Sequence, residues 1–300
     1  MSPVLERPGG VSDESVLGAV RQHWDAGVDS VEHIAVGWGA HHWRAQAKGE
    51  PVLFVTLDPQ TVRHTAASIE GAYATAAALG LEFVWPSVPR LEGSFTLPFE
   101  GRTLSVTRWL DGERPWVCTP DLPDLLGALH RAPIPAGAPE WTSEVDPELN
   151  HRLLDLLSAS WDGPLGMAAH LVLSEHLSQV AGWVRQHTML LGQVGSSPYV
   201  VTHGEPGVHN QWHARGRTWL IDWESLRLAP RERDLATLVH AGVATDGDPA
   251  MVLLFDLEWR LSEIWSFARW LQGPHEGDAD DHAALAGLTE ELTRPHFGDH

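Results

Sequence analysis

Only one of the 300 residues is cysteine, Cys118, so no disulfide can close within the chain. A reducing compartment is expected. Only one is lysine, Lys48, among 20 basic residues. Chemistry that needs an ammonium group therefore has a single position to draw on. No apolar run approaches the roughly 18 residues of a membrane span. The first ten residues, Met1-Ser-Pro-Val-Leu-Glu-Arg-Pro-Gly-Gly, lack the apolar stretch of a signal peptide. The expectation is a soluble, cytoplasmic protein without a membrane partner. Basic charge is also scarce: the formal net charge is -20. Residues 1–110 carry 12 acidic and 8 basic side chains, and the remainder 28 and 12. Such a field disfavours nucleic acid and steers cationic ligands.

What is present suffices for a large core, because 43% of the residues are hydrophobic. Up to residue 110 the pattern is mixed α/β. Residues 12–26 read as a helix capped by Ser12, with Val16, Leu17, Val20 and Trp24 on one face. Strand patterns follow at 31–36, 41–46 and 51–57, with more strand material at 81–88 and 103–110. Asp58-Pro59 reads as the start of an alanine-rich helix reaching about Gly80. Beyond Asp111-Gly112 the chain turns helical, at 121–131, 146–159, 168–192, 231–243, 249–272 and 280–294. Asp146-Pro147-Glu148 repeats the cap pattern. The tryptophans Trp259, Trp265 and Trp270 lie on one long helix and are expected to pack there, but two are six apart, a poor one-face spacing, which makes one a candidate to line the substrate cleft. A short β segment at 198–223 interrupts the helices, with strands at Tyr199–Val201 and Thr218–Ile221. The predicted fold class is α+β, with two lobes: 1–110, sheet-rich and nucleotide-binding, and 111–300, helical, with the catalytic loop and substrate site.

The most informative stretch is His203-Gly-Glu205-Pro-Gly-Val-His-Asn210, followed by Ile221-Asp222-Trp223-Glu224. Phosphoryl transfer needs little covalent chemistry from a protein; it needs positioning and charge neutralisation. A carboxylate must accept the proton of the attacking hydroxyl, and two oxygen ligands must hold Mg²⁺. Glu205, Asn210 and Asp222 supply these groups in that order. A rival reading makes His203, His209 and His213 a hydrolytic metal site, but the H-E-x-x-H spacing is absent.

These motifs resemble the aminoglycoside phosphotransferase and choline kinase-like family, and most closely its actinobacterial members with a His-Gly-Glu-Pro loop. Thr202–Pro206 with Asn210, Leu220–Glu224, and Leu228-Ala-Pro-Arg-Glu-Arg-Asp-Leu235 carry the likeness. The Gly37–Trp43 turn and the hinge-like Ser105–Gly112 fit in order and spacing. The resemblance implies a protein-kinase-like fold and ATP or GTP with Mg²⁺. It makes Glu205 the general base, Asn210 and Asp222 the metal ligands, His203 a brace beneath the loop and Asp234 its anchor. Gly37 and Gly39 would cover the phosphates, and backbone around Trp109 would meet the adenine.

Two departures stand out. Glu205 is one methylene longer than the aspartate of the kinase pattern. The phosphate-binding lysine is missing: Thr56 is the polar residue of its strand, and Lys48 lies in a turn. Arg44, on the face of its strand that also carries His42, is the expected substitute. Glu224 is the first candidate for the acceptor side, with Asp256, Glu258 and Glu263 as further acidic residues for substrate amines. The expected activity is O-phosphorylation of a small molecule, an aminoglycoside-like or other cationic antibiotic or metabolite, as an antibiotic-resistance kinase would perform. Two alternatives are a silent kinase-like module that binds nucleotide or a partner, and a Ser/Thr kinase for a natural-product precursor peptide.

Overall fold

The computed structural model describes residues 7–37, 39–60, 64–243 and 245–295. Trp38, in the expected glycine turn, lies outside the described residues. The chain divides into two compact units, Met1–Trp141 with Tyr199–Ala244, and Thr142–Pro198 with Thr245–His300.

The first unit opens with α1 (Asp13–His23), capped by Ser12, whose hydroxyl accepts the Ser15 N–H. Val16 and Val20 are fully buried and Trp24 nearly so. A five-stranded antiparallel sheet follows, of β1 (Ser30–Ile34), β2 (His41–Ala47), β3 (Glu50–Asp58), β4 (Thr96–Phe99) and β5 (Arg102–Arg108). Its order is β1-β2-β3-β5-β4. Alternation sets Trp43, Ala45, Val55, Leu57, Leu104 and Val106 into one core with α1.

Asp58 does not cap a helix. It ends β3 as a buried residue, and α2 (Ala66–Ala78) starts later, at Thr65, whose hydroxyl accepts the Ser68 N–H. Residues 81–88 do not form a strand of the sheet; only Val84 and Ser87 make single bridges. They clamp the second β region instead. The Trp85 N–H donates to Leu220 O at 3.0 Å and the Leu220 N–H to Phe83 O at 2.8 Å.

That region begins after α3 (Leu122–His130). It holds β6 (Val200–Thr202), β7 (Gln211–Ala214), β8 (Arg217–Leu220), β9 (Arg227–Ala229) and then α6 (Glu232–His240). β6 pairs with β9 and β7 with β8, both antiparallel.

The second unit is helical: α4 (Leu149–Ser158), α5 (Gly166–Leu191), α7 (Pro249–Gln272) and α8 (Ala279–Thr293). Asp146 precedes α4 in a turn, accepting the Glu148 N–H, and makes no cap for the helix. The core of α7 is a stripe of Leu254, Leu257, Leu261, Ile264, Ala268 and Leu271, spaced by three and four. Trp259 and Trp265 fall off that stripe and are half-buried, and Trp270 is exposed, so these three do not form the core as expected. No described helix is long and apolar enough to cross a membrane.

Candidate active site

The β7–β8 hairpin brings two predicted ligands together. Gln211 pairs with Leu220, so the residues beyond them, Asn210 and Ile221, face each other at its open end. The Ile221 N–H donates to Asn210 O at 3.0 Å, and Asp222 follows directly. Asn210 is buried, and its side-chain N–H donates to Glu205 O at 2.9 Å. Its amide oxygen, the atom a hard cation prefers, is thereby turned the other way. Asp222 is exposed and adopts φ 68°, a left-handed backbone uncommon outside glycine and typical of functional positions.

The loop that carries Glu205 is fixed from below. Asp234, in the first turn of α6, accepts the His203 N–H at 3.1 Å and the Gly204 N–H at 2.7 Å. His130 Nε2 lies 2.8 Å from the same carboxylate. Burial opposes the charge of Asp234, but His130, the Gly204 N–H and His203 together hold its carboxyl below the usual range. The His203 ring is fully buried against Trp223, with centroids 4.4 Å apart. Its Nε2 meets Ile221 O at 2.9 Å, and its Nδ1 accepts the Glu205 N–H at 3.3 Å. Burial lowers the His203 pKa, which suits a neutral ring with one donor and one acceptor. Gly204 has φ 95°, and a Cβ there would sit 2.4 Å from Arg233 Nη1. Gln211 ties the far side, donating to Pro206 O at 3.0 Å and accepting the Thr119 N–H at 2.8 Å.

The Glu205 carboxylate is half-buried, and its Oε1 accepts the Ser225 hydroxyl at 2.8 Å. His64 Nε2 lies 3.2 Å from that hydroxyl. Glu224 is buried; desolvation, then the charge and hydrogen bond of Asp222, push its carboxyl well above the ordinary value. One donor atom each of His64, Glu205 and Glu224 lies within 4.8 Å of the others. His209 and His213 are exposed and take no part in this group, which removes the basis for the hydrolytic reading.

On the sheet side, Thr56 is buried and its hydroxyl lies 3.2 Å from His42 Nδ1. Burial pushes the His42 imidazole down to about 4, against the pull of Asp222. A Cβ at Gly37, which has φ 79°, would sit 2.8 Å from His42 Nε2, so the turn backbone closes over this ring. Gly39 also has positive φ, 85°, but faces open space. Arg44, two residues along β2, reaches Glu32 on β1 at 2.6 Å. Asp58 at the end of β3 is raised to about 8 by burial and by Asp222, and its Oδ2 meets no hydrogen-bond partner among the described residues. Glu70 of α2 accepts the N–H groups of Phe95 and Thr96 and so anchors β4. The Trp109 N–H donates to Val52 O at 3.0 Å, and its indole to Asp111 Oδ1 at 2.8 Å.

The remaining acidic candidates belong to the second unit. Glu258 is buried and accepts from Ser143 Oγ at 2.8 Å and Glu144 N at 2.7 Å, with His187 Nε2 at 2.6 Å. Asp256 is buried and ion-paired to Arg294 at 2.8 Å. Glu263 is half-buried on α7. Reading the sequence missed Ser225, His64, Asp58 and Gln211. Ser225 adjoins Glu224, which is a signal of sorts; nothing near His64 points to Ser225, 161 residues away.

Residues 30–284 match the phosphotransferase enzyme family. Protein StrN of Streptomyces griseus is 40% identical over 96 residues, which are 32% of this chain and 30% of StrN. A spectinomycin phosphotransferase, APH(9)-Ia, solved with ADP and spectinomycin, superposes with a TM-score of 0.72 at 13% identity, covering 94% of each chain. A choline/ethanolamine kinase family protein of Mesorhizobium loti gives 0.54 at 16% identity, over 95% of this chain and 96% of that one. These likenesses identify the fold as α+β and kinase-like. With a family match across most of its length, the chain belongs to the phosphotransferase enzyme family, whose members phosphorylate hydroxyl groups of small molecules.

Proposed function

We propose that this enzyme transfers the γ-phosphoryl group of ATP or GTP to a hydroxyl of a small cationic molecule, with Mg²⁺ as cofactor. The observation that carries the reading is the joint placement of Glu205, Asn210 and Asp222 around one loop and one hairpin end. Glu205, its carboxylate oriented by the Ser225 hydroxyl, accepts the proton of the acceptor hydroxyl. Asn210 and Asp222 would hold the magnesium ion, which neutralises phosphate charge when bound. His203 and Asp234 keep the loop rigid, so Glu205 meets the hydroxyl without a search. Gly37 and Gly39 let the turn approach the phosphates, and backbone around Trp109 meets the base. Arg44 would take the phosphate role of the missing lysine by leaving Glu32. Residues 1–110 then serve the nucleotide and residues 111–300 the acceptor. Glu224, two residues after Asp222, is the first candidate for the acceptor side, with Glu258 and Glu263 as further acidic candidates.

The bound spectinomycin and the choline kinase-type relative support a compact, cationic acceptor, and the net charge of -20 suits one. The test is turnover with spectinomycin, aminoglycosides and choline as acceptors, with ATP and GTP, alongside thermal shift with and without Mg²⁺. Stabilisation that needs magnesium, and turnover lost in Asp222→Asn, support the proposal. A second reading, a nucleotide-binding module without turnover, rests on Thr56 in the place of the lysine and on Arg44 paired to Glu32. Nucleotide binding that ignores magnesium, with no acceptor phosphorylated, would select it.

A further inference from the structure

We propose that His64, Glu205 and Glu224 form a site for a divalent transition-metal ion of the zinc class, distinct in ligand chemistry from the oxygen-only pair Asn210 and Asp222. Two observations lead to it. One donor atom from each of the three lies within 4.8 Å of the other two. A zinc ion holds nitrogen and oxygen ligands at about 2.0–2.2 Å, which sets tetrahedral donors about 3.4 Å apart. Side-chain adjustments of about 1 Å close the set. Independently, the Glu224 side chain is more than nine-tenths buried; its Oε2 meets no hydrogen-bond donor among the described residues, and its side-chain hydrogen bond is with another carboxyl, Asp222. A buried oxygen in that condition costs free energy that a cation would recover.

The ligand types select the metal. Magnesium prefers oxygen ligands and keeps several waters, whereas imidazole with two carboxylates suits zinc, and manganese less tightly. The three ligands come from separate parts of the first unit: His64 just before α2, Glu205 in the loop after β6, and Glu224 between β8 and β9. Ser225 already brings two of them into one hydrogen-bonded group, through His64 Nε2 at 3.2 Å and Glu205 Oε1 at 2.8 Å. A metal here occupies the Glu205 carboxylate, so it inhibits phosphoryl transfer; this consequence, unlike the binding itself, rests on Glu205 acting as the base.

The experiment is calorimetric titration of Zn²⁺ into the tag-free full chain, without nucleotide and with millimolar Mg²⁺ present. One Zn²⁺ per chain is expected, weakened at least ten-fold in His64→Ala and in Glu224→Gln. The Co²⁺ derivative should show visible absorption bands that His64→Ala abolishes. Circular dichroism of each variant establishes that it is folded, and His64→Asn serves if the alanine variant is not. No binding at 100-fold excess of zinc over protein, or binding unchanged in the His64 variants, overturns the site. Because no nucleotide is present, either result leaves the phosphotransfer reading to its own test.

Discussion

The Ser225 hydroxyl donates to Glu205 Oε1 at 2.8 Å, from a position 20 residues further along the chain. This contact compensates for the extra methylene of Glu205, because a longer side chain has one more torsion to fix. Ser225→Ala should lower kcat about 10-fold, since misplacing a reacting group by about 1 Å costs on the order of 100-fold. The nucleotide KM should stay within about two-fold. Steady-state kinetics decides the matter, and an unchanged kcat rules the role out.

Asp58 gives a pH signature. Its folded pKa, about 8, lies above its ordinary value of 3.8. The folded protein therefore binds the proton more tightly than the unfolded chain. The stability it contributes is complete below pH 3.8 and is lost as pH rises through about 8. Asp58→Asn should melt close to the wild type at pH 4 and above it at pH 8. Each kcal/mol of difference is worth about 2–4 °C in a domain of this size. A gap that fails to widen with pH refutes the assignment.

Gly204 tests the loop itself. An alanine must adopt φ 95° and displace the Arg233 guanidinium, 2.4 Å from the new Cβ. Strain of this kind costs about 1–3 kcal/mol. Gly204→Ala should lower both the melting temperature and the turnover, whereas Gly39→Ala, with open space around it, should lower the melting temperature less. Differential scanning fluorimetry of the two variants makes the comparison.

Arg44 tests the phosphate side. Arg44→Ala should raise the nucleotide KM about 10-fold, a loss of about 1.4 kcal/mol. Glu32→Gln releases the guanidinium from its exposed partner and should leave that KM unchanged or lower it. An Arg44→Ala enzyme with unchanged nucleotide affinity and rate returns the phosphate role to other groups.

Local patterns were read well from the sequence, and long-range ones were not. Asp248 caps α7 through the Ala250 N–H, Pro249 opens it and Gly273 ends it, so that helix was legible to the residue. Asn210 and Ile221, the residue before Asp222, face each other because a short hairpin joins them, and alternation along the sequence carries that information. Asp58-Pro59 has the same appearance as a helix start, yet β3 runs on to Asp58 and buries it; a cap and a strand end share the residue type. The hydrogen bonds of Glu258 to Ser143 and His187 were not legible, because those partners lie 115 and 71 residues away. Only tertiary packing brings these groups together. His64 and Ser225 were invisible for the same reason.

Thr56 beside His42, with Lys48 exposed at the opposite end of β2, has a practical consequence. A reagent that labels kinases through the lysine amine beside the bound phosphates needs that amine in place. Here the one lysine ammonium sits in an exposed turn with φ 53°. A survey built on that chemistry would pass over this enzyme even when it is abundant and active. Detecting it calls for a reagent that reads the transferred phosphate, or one aimed at imidazole or guanidinium.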